Sequence, residues 1–250
     1  MVTMAFNRGN PALNKKYFAP STGTERMTLD GTIQKTLILL GIVFLTSVAA
    51  YSISMKSPAA ALTFLIGGSL GGFVLALVIG FTRPSEPQVL IAIYSLLQGL
   101  VVGSASYMTE ELWYGGTEGV ILQALLATVA VFIVMLTIYR FRIIKPTEKF
   151  VLAVTSIGSA IMMIYLVNMV MFFFGIQMPF IHNSGPIGIG FSLFVVCIAA
   201  LFLIINFGSI EYGVQNGAPK NMEWYGAWGL VITLVWLYLE LLRLIAKLRD

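Results

Sequence analysis

The chain has 250 residues, 58% of them apolar and 10% charged, with a formal net charge of +4 and a mean hydropathy of +0.90. A soluble domain of this size is about one-quarter charged, so the composition excludes a water-soluble globule. The basic residues are spread through the flanks of apolar runs rather than gathered on one helix or strand, which excludes a nucleic-acid-binding face.

In chain order, residues 1–35 are rich in Asn, Pro, Gly, Thr and Lys and predict a flexible cytoplasmic arm, leaving 36–250 as the membrane domain. Seven apolar runs follow: Thr36–Met55, Ala59–Phe81, Gln88–Met108, Gly119–Tyr139, Phe150–Phe174, Pro186–Phe207 and Trp224–Ala246. Each is long enough to cross about 30 Å of hydrocarbon as a helix. None shows the period-two alternation of a membrane barrel. The predicted class is therefore all-α, a polytopic protein of seven transmembrane helices. A secretory signal has a much shorter leader than this arm, so the first run is expected to be a retained helix. The connections, such as Lys56-Ser-Pro58, Arg83-Pro-Ser-Glu-Pro87 and Asn216-Gly-Ala-Pro219, are too short for a soluble domain.

Arg8, Lys15, Lys16, Arg26 and Lys35 in the arm fall on one side with Arg83, the Arg140, Arg142, Lys145 and Lys149 connector, and Lys220. Lys56, Glu110, Glu111 and Glu118 fall on the other. The positive-inside rule then places the N-terminus in the cytoplasm. Seven crossings would leave Arg243, Lys247 and Arg249 outside, a conflict: either the tail is tolerated because the earlier charges dominate, or one run does not fully cross. Gly67, Gly68, Gly71 and Gly72 in the second run, with Gly99 and Gly103 in the third, are spaced for close helix approach and predict packing within the bundle.

Candidate nucleophiles Ser104, Ser106 and Ser192 need a positioned base, and the one histidine, His182, falls in a connector. Asp30 and Asp250 lie near the ends of the chain and far from any span, so no aspartyl pair forms. No catalytic residue and no cofactor are predicted, and one histidine cannot build a zinc or di-iron centre. The single cysteine, Cys197, excludes an intrachain disulfide and is expected to be a small core residue. The polar residues in or beside spans are Gln98, Gln123, Asn168, Asn206, Glu211, Glu240 and Arg243. An acid inside a membrane helix is costly unless paired, hydrated or protonated, so Glu240 is the leading functional candidate. Arg243, three residues on, shares its helix face. A Ca²⁺ ion wants several oxygens, so Glu240 and Glu211, helped by Asn206 and Gln98, form the predicted weak metal site.

The segments Leu201-Phe-Leu-Ile-Ile-Asn-Phe-Gly-Ser-Ile-Glu-Tyr-Gly-Val214 and Asn221-Met-Glu-Trp-Tyr-Gly-Ala-Trp-Gly-Leu230 resemble the Bax inhibitor family, specifically its YccA-like bacterial branch. So do Leu234-Val-Trp-Leu-Tyr-Leu-Glu-Leu-Leu-Arg-Leu244, the arm motif Asn10-Pro-Ala-Leu13 and Gln98-Gly99-Leu100. The resemblance implies a bacterial inner-membrane protein with its last helix surrounded by the other six. It further implies a pH-sensitive Ca²⁺ leak, or a role in membrane-protein quality control beside a membrane AAA protease. In channel-like members two acids on the sixth and seventh helices share a proton, and an arginine near the second helix engages them. Glu240 in Leu237-Tyr-Leu-Glu240 then matches the seventh-helix acid, Asn206 stands where the sixth-helix acid would be, and Arg83 matches the arginine. An Asn–Glu pair cannot share a proton as two acids do, and Glu211 is the nearest replacement.

Overall fold

Seven helices follow the seven apolar runs: α1 (Leu29–Lys56), α2 (Pro58–Thr82), α3 (Gln88–Tyr107), α4 (Val120–Arg140), α5 (Glu148–Phe173), α6 (Pro186–Gln215) and α7 (Met222–Arg249). The computed structural model describes residues 25–113, 119–174 and 184–249. The arm up to residue 24, with Arg8, Lys15, Lys16 and Asn10–Leu13, lies outside the described residues, as do Glu118, His182 and Asp250. All seven helices are long and apolar enough to cross a bilayer.

The helix ends differ from the apolar boundaries for local reasons. Thr28 caps α1, its Oγ1 accepting from the Gly31 N–H at 3.0 Å, and Asp30 sits favourably in the first turn. The helix therefore starts at Leu29, and residues 29–35 extend the first span instead of belonging to the arm. Pro58 opens α2 where its missing N–H costs nothing. At the far end of α3 the chain widens into a π-helical turn, Met108–Trp113, which turns Glu110 towards α1. α6 continues two turns beyond Phe207, so Glu211 is helical.

The last helix is the core. Of the α7 span 67% is buried, against 17% for α2 and for α4. It packs on α1, α3, α4 and α6, while α2 stacks outside on α1 and α3. α5 reaches α7 through Tyr165. α6 and α7 are antiparallel, with Asn206 beside Thr233 and Ser192 beside Lys247. α1 and α7 are parallel: Thr28 meets Glu223 at one end, and Tyr51 and Tyr238 share the far end with α3. The chain thus enters and leaves on opposite faces of the bundle.

Glycines fix the helix spacing, as their pattern predicted. Gly99 lies against α1, where a Cβ would sit 2.7 Å from the Val43 carbonyl oxygen, and Gly68 and Gly72 lie against α3. At Gly103 a Cβ would collide with the Ser47 carbonyl oxygen and stand 2.9 Å from the Ala50 Cβ. Overpacking a close contact costs typically 1–3 kcal/mol, and more where backbone must move. Gly103→Val is expected to cost about 3 kcal/mol, read as a fall in the thermal unfolding midpoint in detergent. Gly67→Val, where nothing lies within 4 Å, is the matched control and should cost far less. Cys197, expected in the core, is instead exposed on the outward face of α6. The packed α6 face is supplied by Leu203, Ile204 and Phe207.

Candidate functional site

Glu240 is 1% exposed and fully engaged. Its carboxylate accepts from Arg243 at 3.0 Å, the Tyr165 hydroxyl of α5 at 2.8 Å and the Trp236 indole N–H at 3.3 Å. Arg243 also donates to the Tyr165 oxygen at 3.0 Å and stacks over its ring at 5.3 Å. One turn on, Lys247 is 2% exposed and donates to the Gly188 carbonyl at 3.1 Å and to Ser192 Oγ at 2.9 Å. These are internal ties from α7 to α5 and α6. Of the three basic residues near the end of the chain, Arg243 and Lys247 are thus bound within the bundle. Tyr165 and Lys247 escaped the sequence reading, although Glu240, Arg243 and Lys247 at i, i+3 and i+7 mark one helix face.

Asn206 does not meet Glu240. Its amide donates to the Gly229 carbonyl at 3.1 Å and to Thr233 Oγ1 at 2.7 Å. Thr233 lies two turns before Glu240, about 10 Å along the helix axis at 1.5 Å per residue. The α6–α7 register therefore pairs Asn206 with Thr233, and neither side chain titrates near neutrality. Glu211 sits still nearer the start of α7's neighbour face, bonded to Tyr139, Arg142 and, at 3.0 Å, Gln215. Glu211 and Glu240 are thus at different depths and do not share a cation. No cluster of three metal-ligating side chains occurs among the described residues. Arg83 caps α2 in the left-handed region at φ 44°, its Nε donating to the Gly80 carbonyl at 3.3 Å. Its neighbour Pro84 accepts from the Tyr225 hydroxyl at 2.8 Å, about 22 Å upstream of Glu240 along α7. Gln98 lies between α3 and α2, against Gly72.

Of the nucleophile candidates, Ser104 donates to the Leu100 carbonyl at 2.7 Å and Ser106 shares a 2.8 Å hydrogen bond with Tyr238. Ser192 accepts from Lys247.

A cleft of about 1580 Å³ runs between α1 and α4 with α7 as its floor. One mouth holds Glu211, Tyr139, Arg140 and Arg142, and the other holds Glu110 and Tyr51. Its middle is apolar, lined by Leu40, Val43, Phe132 and Val235. Glu110 accepts from the Tyr51 hydroxyl at 2.9 Å and from the Gly119 N–H at 3.1 Å. At the other mouth Glu211 raises the Arg142 pKa above its ordinary value by accepting its hydrogen bond. The sequence placed Glu110 in a loop, and its role at a mouth follows only from the π-helical turn.

Seven apolar helices among the described residues, the last of them buried against its neighbours, define a multi-pass membrane protein. The model of the Bax inhibitor 1 like family matches residues 10–250, so the chain belongs to the Bax inhibitor family. No curated protein matches the chain.

Proposed function

We propose that the protein is a passive cation leak, Ca²⁺ included, closed in the conformation described, with the α1–α4–α7 cleft as its path. The observation that carries this reading is the cleft's reach from Glu211 to Glu110, an acid at each mouth. Acids at pore mouths concentrate cations, and an apolar middle closes a path by excluding water. Arg142 on Glu211 holds one mouth shut.

Ca²⁺ uptake by proteoliposomes tests the reading. Wild type should exceed empty liposomes, Arg142→Gln should raise uptake, and Glu110→Gln should lower it about tenfold, the low end of what mouth charge supplies. Absence of uptake by protein with intact helical circular dichroism overturns it.

The proposed setting is a bacterial inner membrane with the α1 entry in the cytoplasm. Arg26, Lys35, Arg83, Arg140, Arg142, Lys145 and Lys220 share that face, as the positive-inside rule asks. A second reading has support of its own: a YccA-like regulator without conductance, acting beside a membrane AAA protease. Residues 25–28 are tied to the α6–α7 turn by Met27 N–H to the Ala218 carbonyl at 2.7 Å and by the Glu25–Lys220 pair at 3.3 Å. The arm before them therefore leaves from a fixed point. Deleting residues 1–24 should spare Ca²⁺ uptake under the first reading, and should abolish an effect on protease substrates under the second.

A further inference from the structure

We propose that the cleft between α1 and α4 binds one anionic glycerophospholipid, its acyl chain along the apolar wall and its phosphate on Arg140. The inference concerns the same cleft that is assigned above to the leak, and does not need the leak to hold.

The cleft opens sideways to the bilayer. Leu37, Phe44, Leu125 and Val129 line it and are 64%, 58%, 43% and 48% exposed. These are bulky side chains, whereas close docking of another helix uses small residues. The small residues of this bundle, Gly68, Gly72, Gly99 and Gly103, already face its own helices. An acyl chain is far thinner than a helix and fits without opening α1 from α4.

The charge at one mouth selects the headgroup. Arg142 is engaged by Glu211, but Arg140 has no ion-pair or hydrogen-bond partner among the described residues and lines the same mouth. Between and beyond these arginines, Phe141 and Ile143 are 73% and 70% exposed. Alternating basic and exposed apolar side chains suit the boundary between headgroups and acyl chains. From Arg140 to Val129 is about 16 Å of helix, one leaflet's half of the hydrocarbon. A chain anchored at Arg140 therefore ends in the apolar middle of the cleft.

Native mass spectrometry of the purified full chain, released from micelles containing dioleoyl phosphatidylglycerol or dioleoyl phosphatidylcholine, tests this. Wild type should retain one phosphatidylglycerol in preference to phosphatidylcholine by about fivefold, the factor one basic side chain near an anionic surface supplies. Arg140→Gln should erase the preference, Val129→Trp should fill the groove and lose both lipids, and Lys149→Gln should match wild type. Equal retention of the two lipids, retention unchanged in Val129→Trp, or a second copy of the chain held in place of lipid overturns the proposal. Retention is read without ion flux, so a missing leak and a missing lipid are separate results.

Discussion

Lys35→Met is expected to destabilise the bundle by about 3–5 kcal/mol, the cost of stranding a buried charge. The charge stranded is Glu223, 1% exposed at the start of α7. Its carboxylate accepts from the Thr28 N–H at 2.9 Å, the Thr28 hydroxyl at 2.8 Å and the Lys35 ammonium. Lys35 also lies 5.4 Å over the Trp224 ring. The cluster binds the first turn of α1 to the first turn of α7, and Gly31 is there because a Cβ would land on the carboxylate. The two single variants should be unequal. Lys35 is 17% exposed and can turn to water when Glu223→Gln removes its partner, but Glu223 cannot follow when Lys35 is lost. Lys35→Met should therefore cost more than Glu223→Gln, and the double variant less than the sum. Unfolding midpoints in detergent for the four proteins read this directly. A Lys35→Met protein as stable as wild type would remove the cluster from any account of the fold.

The seven spans were legible because length and apolarity alone make a crossing helix. Their ends were not: Thr28 extends α1 towards Glu223, a contact between residues far apart in the chain, and nothing apolar announces it. Glu240 stood out as an acid in a membrane helix. Its partner Tyr165 did not, because the register of α5 on α7 is a packing result. The match of Asn206 with Glu240 failed for the same kind of reason: the α6–α7 turn sets the register, and at that depth α7 offers Thr233. Lys247 looked like a tail charge until the carbonyl of Gly188 and Ser192 proved to receive it. The cleft was invisible for a different reason. It exists where α1 and α4 fail to pack, and a missing contact between distant helices leaves no periodicity to read.

Glu240→Gln is expected to lower stability while leaving Ca²⁺ uptake near the wild-type rate for the protein that remains folded, which separates it from Glu110→Gln. Glu240 is locked between α5 and α7, away from the cleft, so its loss weakens a tie and not a path. Its side chain is 2% exposed and that of Arg243 is 33%, so Arg243→Met, which strands the carboxylate, should cost about 3–5 kcal/mol and Glu240→Gln less. Tyr165→Phe removes one donor from the carboxylate and one acceptor from the guanidinium, and should cost about 1–3 kcal/mol. In a double-mutant cycle the Glu240→Gln/Arg243→Met protein should recover part of the loss, because an amide beside a thioether leaves no uncompensated charge. Additive losses would deny the coupling. If Glu240→Gln instead changed uptake as strongly as Glu110→Gln at unchanged stability, the path would run past Glu240, and the α1–α4 cleft would have to be given up as the route.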